Sequence, residues 1–306
     1  MKARIAIKSL KNNDYFHKKA TEIFDEIEYV ENRPSPAEMT TFLSDIDVAI
    51  IGAREKISRQ NYSAAKNPPH IIGTLSIGLD HIDIDYLDSV GVKVLNSPNA
   101  NVISVAEHIF AFLLYMTKNL GKCDIASHKD LGRAGVKPTP IELAGKTLGL
   151  IGFGKIAKQV SNIAKSFSLN IVATSKTITS GTNDSITFLQ LDDLLHVSDF
   201  ISISVPFNDD TYHILGMESL EKLKKGVFII NTSRTEVVDH HSIKIGLNRQ
   251  VIAGYAEDSD EMPSFLKHQP NVIWSPHLAG MTNEASDRLD NELIDNFSDY
   301  FSNRKR

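Results

Sequence analysis

Short runs rich in apolar residues alternate with helix-like stretches along almost the whole chain. Residues 3–7, 48–51, 71–74 and 92–95 are such runs, with helical patterns between the first three. A strand that is apolar on both faces suits a parallel sheet covered by helices on both sides. A second series begins near Thr147 and runs through 148–151, 171–173, 199–205, 227–231, 251–253 and 272–274. Each run is followed by turn residues or a polar helix start. The pattern predicts an α/β protein with two doubly wound parallel-sheet domains, the second larger than the first.

The break between the two series is turn-rich. Residues 96–101 read Asn-Ser-Pro-Asn-Ala-Asn, and Pro98 limits the conformations of that segment. It opens onto an apolar helix at 104–117, followed by a polar, glycine-containing stretch at 121–140. After Trp274 the chain passes through Ser-Pro-His-Leu-Ala-Gly at 275–280 into an amphipathic helix over 283–301. That terminal helix is expected to return to the first domain. The expected division is therefore 1–97 plus 283–306 in one domain and 98–282 in the other. Two crossings between domains imply a cleft able to open and close by hinging.

Composition narrows the function classes. A chain of 306 residues can fill two cores of ordinary size. A net charge of −5 argues against nucleic acid as a partner, because phosphate binding shows as a basic excess. The apolar segment 105–116 contains Glu107 and His108 and is too short to span a bilayer, so no membrane partner is expected. It reads as a core-facing or dimer-facing helix. The single cysteine, Cys123, allows neither an internal disulfide nor a thiolate-rich metal site. With no apolar leader in residues 1–10, a cytoplasmic location is expected. His240 and His241 are adjacent rather than on one helix face, and no metal site is expected. His81 and His108 lie beside apolar segments and read as structural, and Asp209-Asp210 reads as a turn or a solvated helix start.

The central local signal is Gly152-Phe-Gly154-Lys-Ile-Ala157, which follows a buried strand and opens a helix. Gly152 permits a tight turn, Gly154 allows close backbone approach of a pyrophosphate, and Ala157 allows close helix–strand packing. The helix N-terminus then offers unpaired N–H groups to the phosphates. This is the fingerprint of a Rossmann dinucleotide-binding domain. In NAD sites an acidic residue at the end of the next strand binds the ribose 2′-hydroxyl. Here that strand ends in Ser175-Lys176-Thr177, two hydroxyls and a cation suited to a 2′-phosphate. NADP(H) is the predicted cofactor, with NAD(H) the second option.

Three further strands end in charged groups. Residues 227–234 deliver Arg234, residues 251–261 an acidic loop, and residues 272–277 His277. Ligands of open α/β sheets bind at that edge. An arginine can hold the carboxylate of a 2-keto acid through a planar bidentate match. A histidine can hydrogen-bond the carbonyl oxygen and protonate it as hydride reaches the carbon. A neighbouring carboxylate orients the ring and favours its protonated form.

With these motifs in order, the chain resembles the D-isomer-specific 2-hydroxyacid dehydrogenase family. The resemblance runs from about Val48 to Ala285. It rests on Gly73-Thr-Leu-Ser-Ile-Gly78-Leu-Asp-His-Ile-Asp83, Asn96-Ser-Pro through Val105-Ala-Glu-His108, Gly152-x-Gly154, Val205-Pro206 with Thr211, Asn231-Thr-Ser-Arg234, and Ser275-Pro-His277-Leu-Ala-Gly280. The first of these and the Ser175–Thr177 strand end are most similar to its glyoxylate and hydroxypyruvate reductases. The resemblance implies Arg234 as substrate-binding and catalytic, and His277 as acid/base. It implies that Leu75, Ser76, Ile77 and Gly78 hold the substrate carboxylate. Phe153, Lys155 and Ile156 would cover the pyrophosphate. Val105, Val205, Pro206, Thr211, Thr232, Ser233 and Gly280 would line the cofactor cleft together with Arg234 and His277, and Asp258 would meet the nicotinamide amide. A homodimer is also implied.

Three positions depart from the family pattern. The acidic loop is one residue short, so Met262 precedes Pro263 where a glutamate is usual. Glu261 is taken as the partner of His277, with Asp258, Asp260 and Glu257 as alternatives. Thr235 stands where a glycine follows the arginine, and Ser204 where a histidine often precedes Pro206 by two. Other readings are a dinucleotide-binding redox sensor or partner-binding protein, or a dehydrogenase of formate or of a phosphorylated hydroxy acid; the latter needs an added cation, for which Arg54 is a candidate, although Arg54 reads better as a surface arginine.

Overall fold

The structure, a computed structural model, describes residues 1–178 and 181–304. It divides into two compact units, Met1–Asn101 with Thr282–Arg306, and Val102–Met281. The crossings at 101/102 and 281/282 replace the expected 97/98 and 282/283. The expected terminal segment, 283–306, ends in two residues outside the described ones. Residues 98–101 stay with the first unit because the terminal helix Asn283–Arg304 binds them. Glu292 accepts from the Asn99 backbone at 3.1 Å, and Arg288 Nε donates to the Ala100 carbonyl at 2.7 Å.

The first unit holds five parallel strands: β1 (Lys2–Ile5), β2 (Glu26–Tyr29), β3 (Val48–Gly52), β4 (Ile71–Leu75) and β5 (Lys93–Asn96), in the order β2-β1-β3-β4-β5. Every residue of β3 is buried. Edge strand β2, Glu-Ile-Glu-Tyr, was not anticipated, because an edge needs apolar contact on fewer sides and shows no apolar run. Leu293, Ile294 and Phe297 of the terminal helix are fully buried beside Ile5, Phe16 and Ile50. The helix therefore completes this core. It lies close enough to β4 that a Cβ on Gly73 would stand 2.5 Å from the Phe297 ring.

The second unit holds β6 (Thr147–Ile151), β7 (Asn170–Ala173), β8 (Gly181–Asn183), β9 (Ile186–Phe188), β10 (Phe200–Ile203), β11 (Val227–Asn231), β12 (Ile252–Asp258) and β13 (Val272–Ser275). Their order is β13-β12-β11-β10-β6-β7-β9-β8, with only the β8–β9 pair antiparallel. β8 and β9 extend the six strands read from the sequence. The chain leaves β6 toward β7 and returns on the other side to β10. That reversal opens a crevice at the carboxyl ends of β6 and β10, the usual ligand position in such sheets. Helix Val102–Thr117 buries Val105, Ile109, Phe110, Leu113 and Met116 in this unit's core.

Replacing Gly73 by alanine forces a methyl group against Phe297, and overpacking of this kind costs about 1–3 kcal/mol. Denaturant unfolding of Gly73→Ala is expected to show a lower midpoint, partly restored by adding Phe297→Leu.

Candidate active site

The turn after β6 is built for close backbone approach. Gly152 has φ +89°, and a Cβ there would lie 2.8 Å from the Ser204 carbonyl oxygen. Only glycine meets both conditions. Its N–H donates to Thr174 Oγ1 at 3.0 Å. At Gly154 a Cβ would meet no atom within 4 Å, so the turn faces open space. Gly154 is the N-cap of helix Lys155–Ser166, and no side chain caps that helix. Its leading N–H groups therefore face the same opening. Ala157 is wholly buried, and the Phe153 ring packs edge-on against Phe188 at 5.2 Å. An open cradle under an uncapped helix N-terminus fits a dinucleotide pyrophosphate.

At the end of β7, Ser175 Oγ lies 3.1 Å from Thr177 Oγ1. Lys176 Nζ donates to Asp210 at 2.7 Å, and both side chains are exposed. The hydrogen bond and charge of Lys176 hold the Asp210 carboxyl below its ordinary value. The cation expected to meet a 2′-phosphate thus already has a counter-ion. Solvent-exposed pairs of this kind are weak and readily exchanged. Asp210, read from the sequence as a turn residue, belongs to this corner. After β10, Thr211 Oγ1 donates to the Pro206 carbonyl at 2.7 Å, and Ser233 Oγ donates to the Val205 carbonyl.

The ends of β11, β12 and β13 carry the charged groups. Asn231 fixes the turn after β11. Its Oδ1 accepts from the Ser233 N–H at 3.0 Å, and its Nδ2 donates to the Arg234 carbonyl at 2.9 Å. Arg234 is half-buried and donates to the Ser233 carbonyl at 2.9 Å. Thr235 lies in a right-handed 3-10 turn, Thr235–Val237. The glycine expected there is not required.

Asp258 ends β12 and is buried. It accepts from Ser275 Oγ, from the Leu278 N–H at 2.8 Å and from the Ala279 N–H at 2.9 Å. These bonds shape the turn that carries His277, which adopts φ +54°. Ser275 Oγ also lies 3.0 Å from His108 Nε2, so His108 supports the same turn. The His277 ring is 55 % exposed, and its Nδ1 lies 3.8 Å from Asp260 Oδ1. The structure thus brings Asp260 to His277 rather than the expected Glu261. Asp258 is engaged with the loop backbone, and Glu257 is buried beside His240 at 2.7 Å. Asp260 and Glu261 are both exposed, and Asp260 is the one whose carboxylate reaches the Nδ1 side of the ring.

In the first unit, the segment after β4 is also held in place. Ser76 Oγ donates to the Gly78 carbonyl at 2.8 Å and lies 2.9 Å from Thr74 Oγ1, itself 2.9 Å from His81 Nε2. Asn96 Nδ2 donates to the Ile77 carbonyl at 2.8 Å. Leu75 to Gly78 therefore form an ordered loop at the carboxyl end of their strand.

Residues 110–279 match the profile of the D-isomer specific 2-hydroxyacid dehydrogenase NAD-binding domain, more than half of the chain. The chain belongs to this family. It is 33 % identical to a hydroxypyruvate reductase of Thermotoga maritima, over 92 % of this chain and 95 % of the relative. It is 32 % identical to a glyoxylate reductase of Thermofilum pendens, over 84 % of this chain and 78 % of the relative. A D-3-phosphoglycerate dehydrogenase of Saccharomyces cerevisiae is 30 % identical over 92 % of this chain and 64 % of its own length. Among solved structures, an acyclic imino acid reductase, Bsp5, in complex with NADPH and D-Arg superposes with a TM-score of 0.89. It is 26 % identical, with 99 % of this chain and 98 % of that chain covered. The fold is shared with D-2-hydroxyisocaproate dehydrogenase at a TM-score of 0.83 and 20 % identity, over 100 % of this chain and 98 % of that chain. The second unit is accordingly an NAD(P)-binding domain, and the protein an oxidoreductase of the 2-hydroxyacid dehydrogenase family. No helix among the described residues is long and apolar enough to cross a membrane.

Burial pushes the His108 imidazole below its ordinary value, opposed in part by the charge of Asp258. Below about pH 6.5 the unfolded chain takes up a proton that folded His108 resists, so stability falls as pH drops through that range. His108→Gln is expected to reduce this acid loss, read as the gap between denaturation midpoints at about pH 7.5 and about pH 5.5.

Proposed function

We propose that the protein reduces a small 2-keto acid, of the glyoxylate or hydroxypyruvate kind, to the D-2-hydroxy acid, with NADPH preferred over NADH. The observation that carries this reading is the delivery of Arg234, Asp260 and His277 from the ends of three neighbouring parallel strands to one edge of the nucleotide-binding sheet. The names of the reductase relatives support the substrate class. When bound, the reduced nicotinamide supplies the hydride. Arg234 holds the substrate carboxylate through its planar guanidinium. His277 hydrogen-bonds the carbonyl oxygen through Nε2 and donates a proton to it. Asp260, on the Nδ1 side, orients the ring, in the role expected of Glu261. Leu75, Ser76, Ile77 and Gly78 supply backbone N–H groups for the substrate carboxylate.

The cofactor preference rests on Ser175-Lys176-Thr177, which follow β7 and include no acid, and NADPH is the cofactor named with the Bsp5 reductase. Lys176 would exchange Asp210 for the 2′-phosphate. A homodimer in the cytoplasm completes the proposal. A second reading, a dinucleotide sensor with little turnover, is favoured by the exposure of the His277–Asp260 pair.

The deciding experiment measures NADPH and NADH oxidation with glyoxylate, hydroxypyruvate, pyruvate and 3-phosphohydroxypyruvate. Arg234→Ala is expected to cut kcat/KM by about a hundredfold or more. Absence of turnover with every acid, despite dinucleotide binding, would establish the sensor reading instead. Asp260→Asn is expected to lower kcat/KM about tenfold, while Glu261→Gln leaves it within about twofold. The reverse ranking would return the role to Glu261. Asp210→Ala should tighten NADPH binding, and Ser175→Asp with Lys176→Ala should shift preference toward NADH. An unchanged cofactor ratio would remove Lys176 from the site.

A further inference from the structure

Glu257 is the most deeply buried carboxylate near the site, 1 % exposed, and the proposed reaction gives it no part. It stands on β12 directly opposite Asn231 of β11. Oε2 accepts from His240 Nε2 at 2.7 Å and from the Tyr255 hydroxyl. Oε1 accepts from Thr235 Oγ1 at 3.1 Å. A buried carboxylate is tolerated only when its oxygens are satisfied in this way. Burial first, then the charge of Glu257, pushes the Tyr255 phenol well up, so Tyr255 remains a donor. The His240 ring is itself boxed in, 6.1 Å from the Tyr255 ring and 5.6 Å from Trp274.

What distinguishes this cluster from ordinary core polarity is its address. It ends on the hydroxyl of Thr235, the residue after Arg234. Asn231, its partner across the two strands, holds the Arg234 carbonyl. The backbone leaving Arg234 is thus held by two facing strand-end residues, by Asn231 at the Arg234 carbonyl and by Glu257 through the Thr235 hydroxyl. A glycine at 235 would have no hydroxyl to offer Glu257. The geometry points to Glu257, acting through Thr235, as the positioning residue for Arg234, with Tyr255 and His240 fixing the carboxylate.

This inference rests on Arg234 binding the substrate carboxylate, and the test separates the two. Thr235→Val keeps the shape and removes the hydroxyl. It is expected to raise KM for glyoxylate about tenfold, with kcat within about twofold and the NADPH dissociation constant unchanged. Thr235→Ser should restore KM. Glu257→Gln should raise KM similarly, and the double variant should be no worse than Thr235→Val alone, as expected for two partners of one contact. Titration of oxalate into the protein–NADPH complex reads the same loss without turnover. Should one variant fail to fold, Thr235→Ala and the remaining single variant carry the measurement. A KM and oxalate affinity close to wild type in the folded variants, effects of the two sites that multiply, or loss of NADPH affinity in parallel with thermal stability would each overturn the inference. Arg234→Ala belongs in the same series. If it impairs oxalate binding while Thr235→Val does not, the inference alone fails. If it leaves oxalate binding intact, the role given to Arg234 fails as well.

Discussion

Parallel pairing constrains everything else in the nucleotide-binding unit. Strands that run in one direction must each be entered from the same edge, so every connection crosses back over a face of the sheet. The carboxyl ends of the parallel strands then open on the opposite edge, β8 alone running the other way. Gly152, Ser175, Val205, Arg234, Asp258 and the turn of His277 stand at or just beyond those ends. Reversal of strand order between β6 and β10 leaves one gap in that edge uncovered by a crossover. The glycine turn, Arg234 and His277 thus share one rim, although they are spread over 126 residues of sequence from Gly152 to His277.

The carboxyl end of β12 illustrates how one strand serves two purposes. Successive residues of a strand point to opposite faces. Glu257 turns toward His240 and Thr235, on the side of the arginine turn. Asp258 turns toward Ser275 and the backbone of Leu278 and Ala279, on the side of the histidine turn. Two adjacent acids thus brace the two turns that carry Arg234 and His277, and both are buried. The exposed Asp260 is left to face the His277 ring.

The sequence by itself determined the elements whose signals are local. Buried strands declare themselves as apolar runs, and the Gly152–Gly154 turn declares itself by its glycines, of which Gly152, at φ +89° beneath the Ser204 carbonyl, admits no side chain. The placement of Arg234 and His277 at strand ends followed from the same punctuation. Edge strands β2 and β8 were not legible, because an edge needs little apolar burial and leaves little pattern, and β9 is only three residues long. Only the tertiary structure decided which charges meet. Lys176 finds Asp210 across 34 residues, and His240 finds Glu257 across 17. In the loop after β12, it is Asp260 whose carboxylate comes within 3.8 Å of His277. Such pairings depend on strand order and loop length, which set distances between residues far apart in the chain. Periodicity and turn chemistry report only on neighbours.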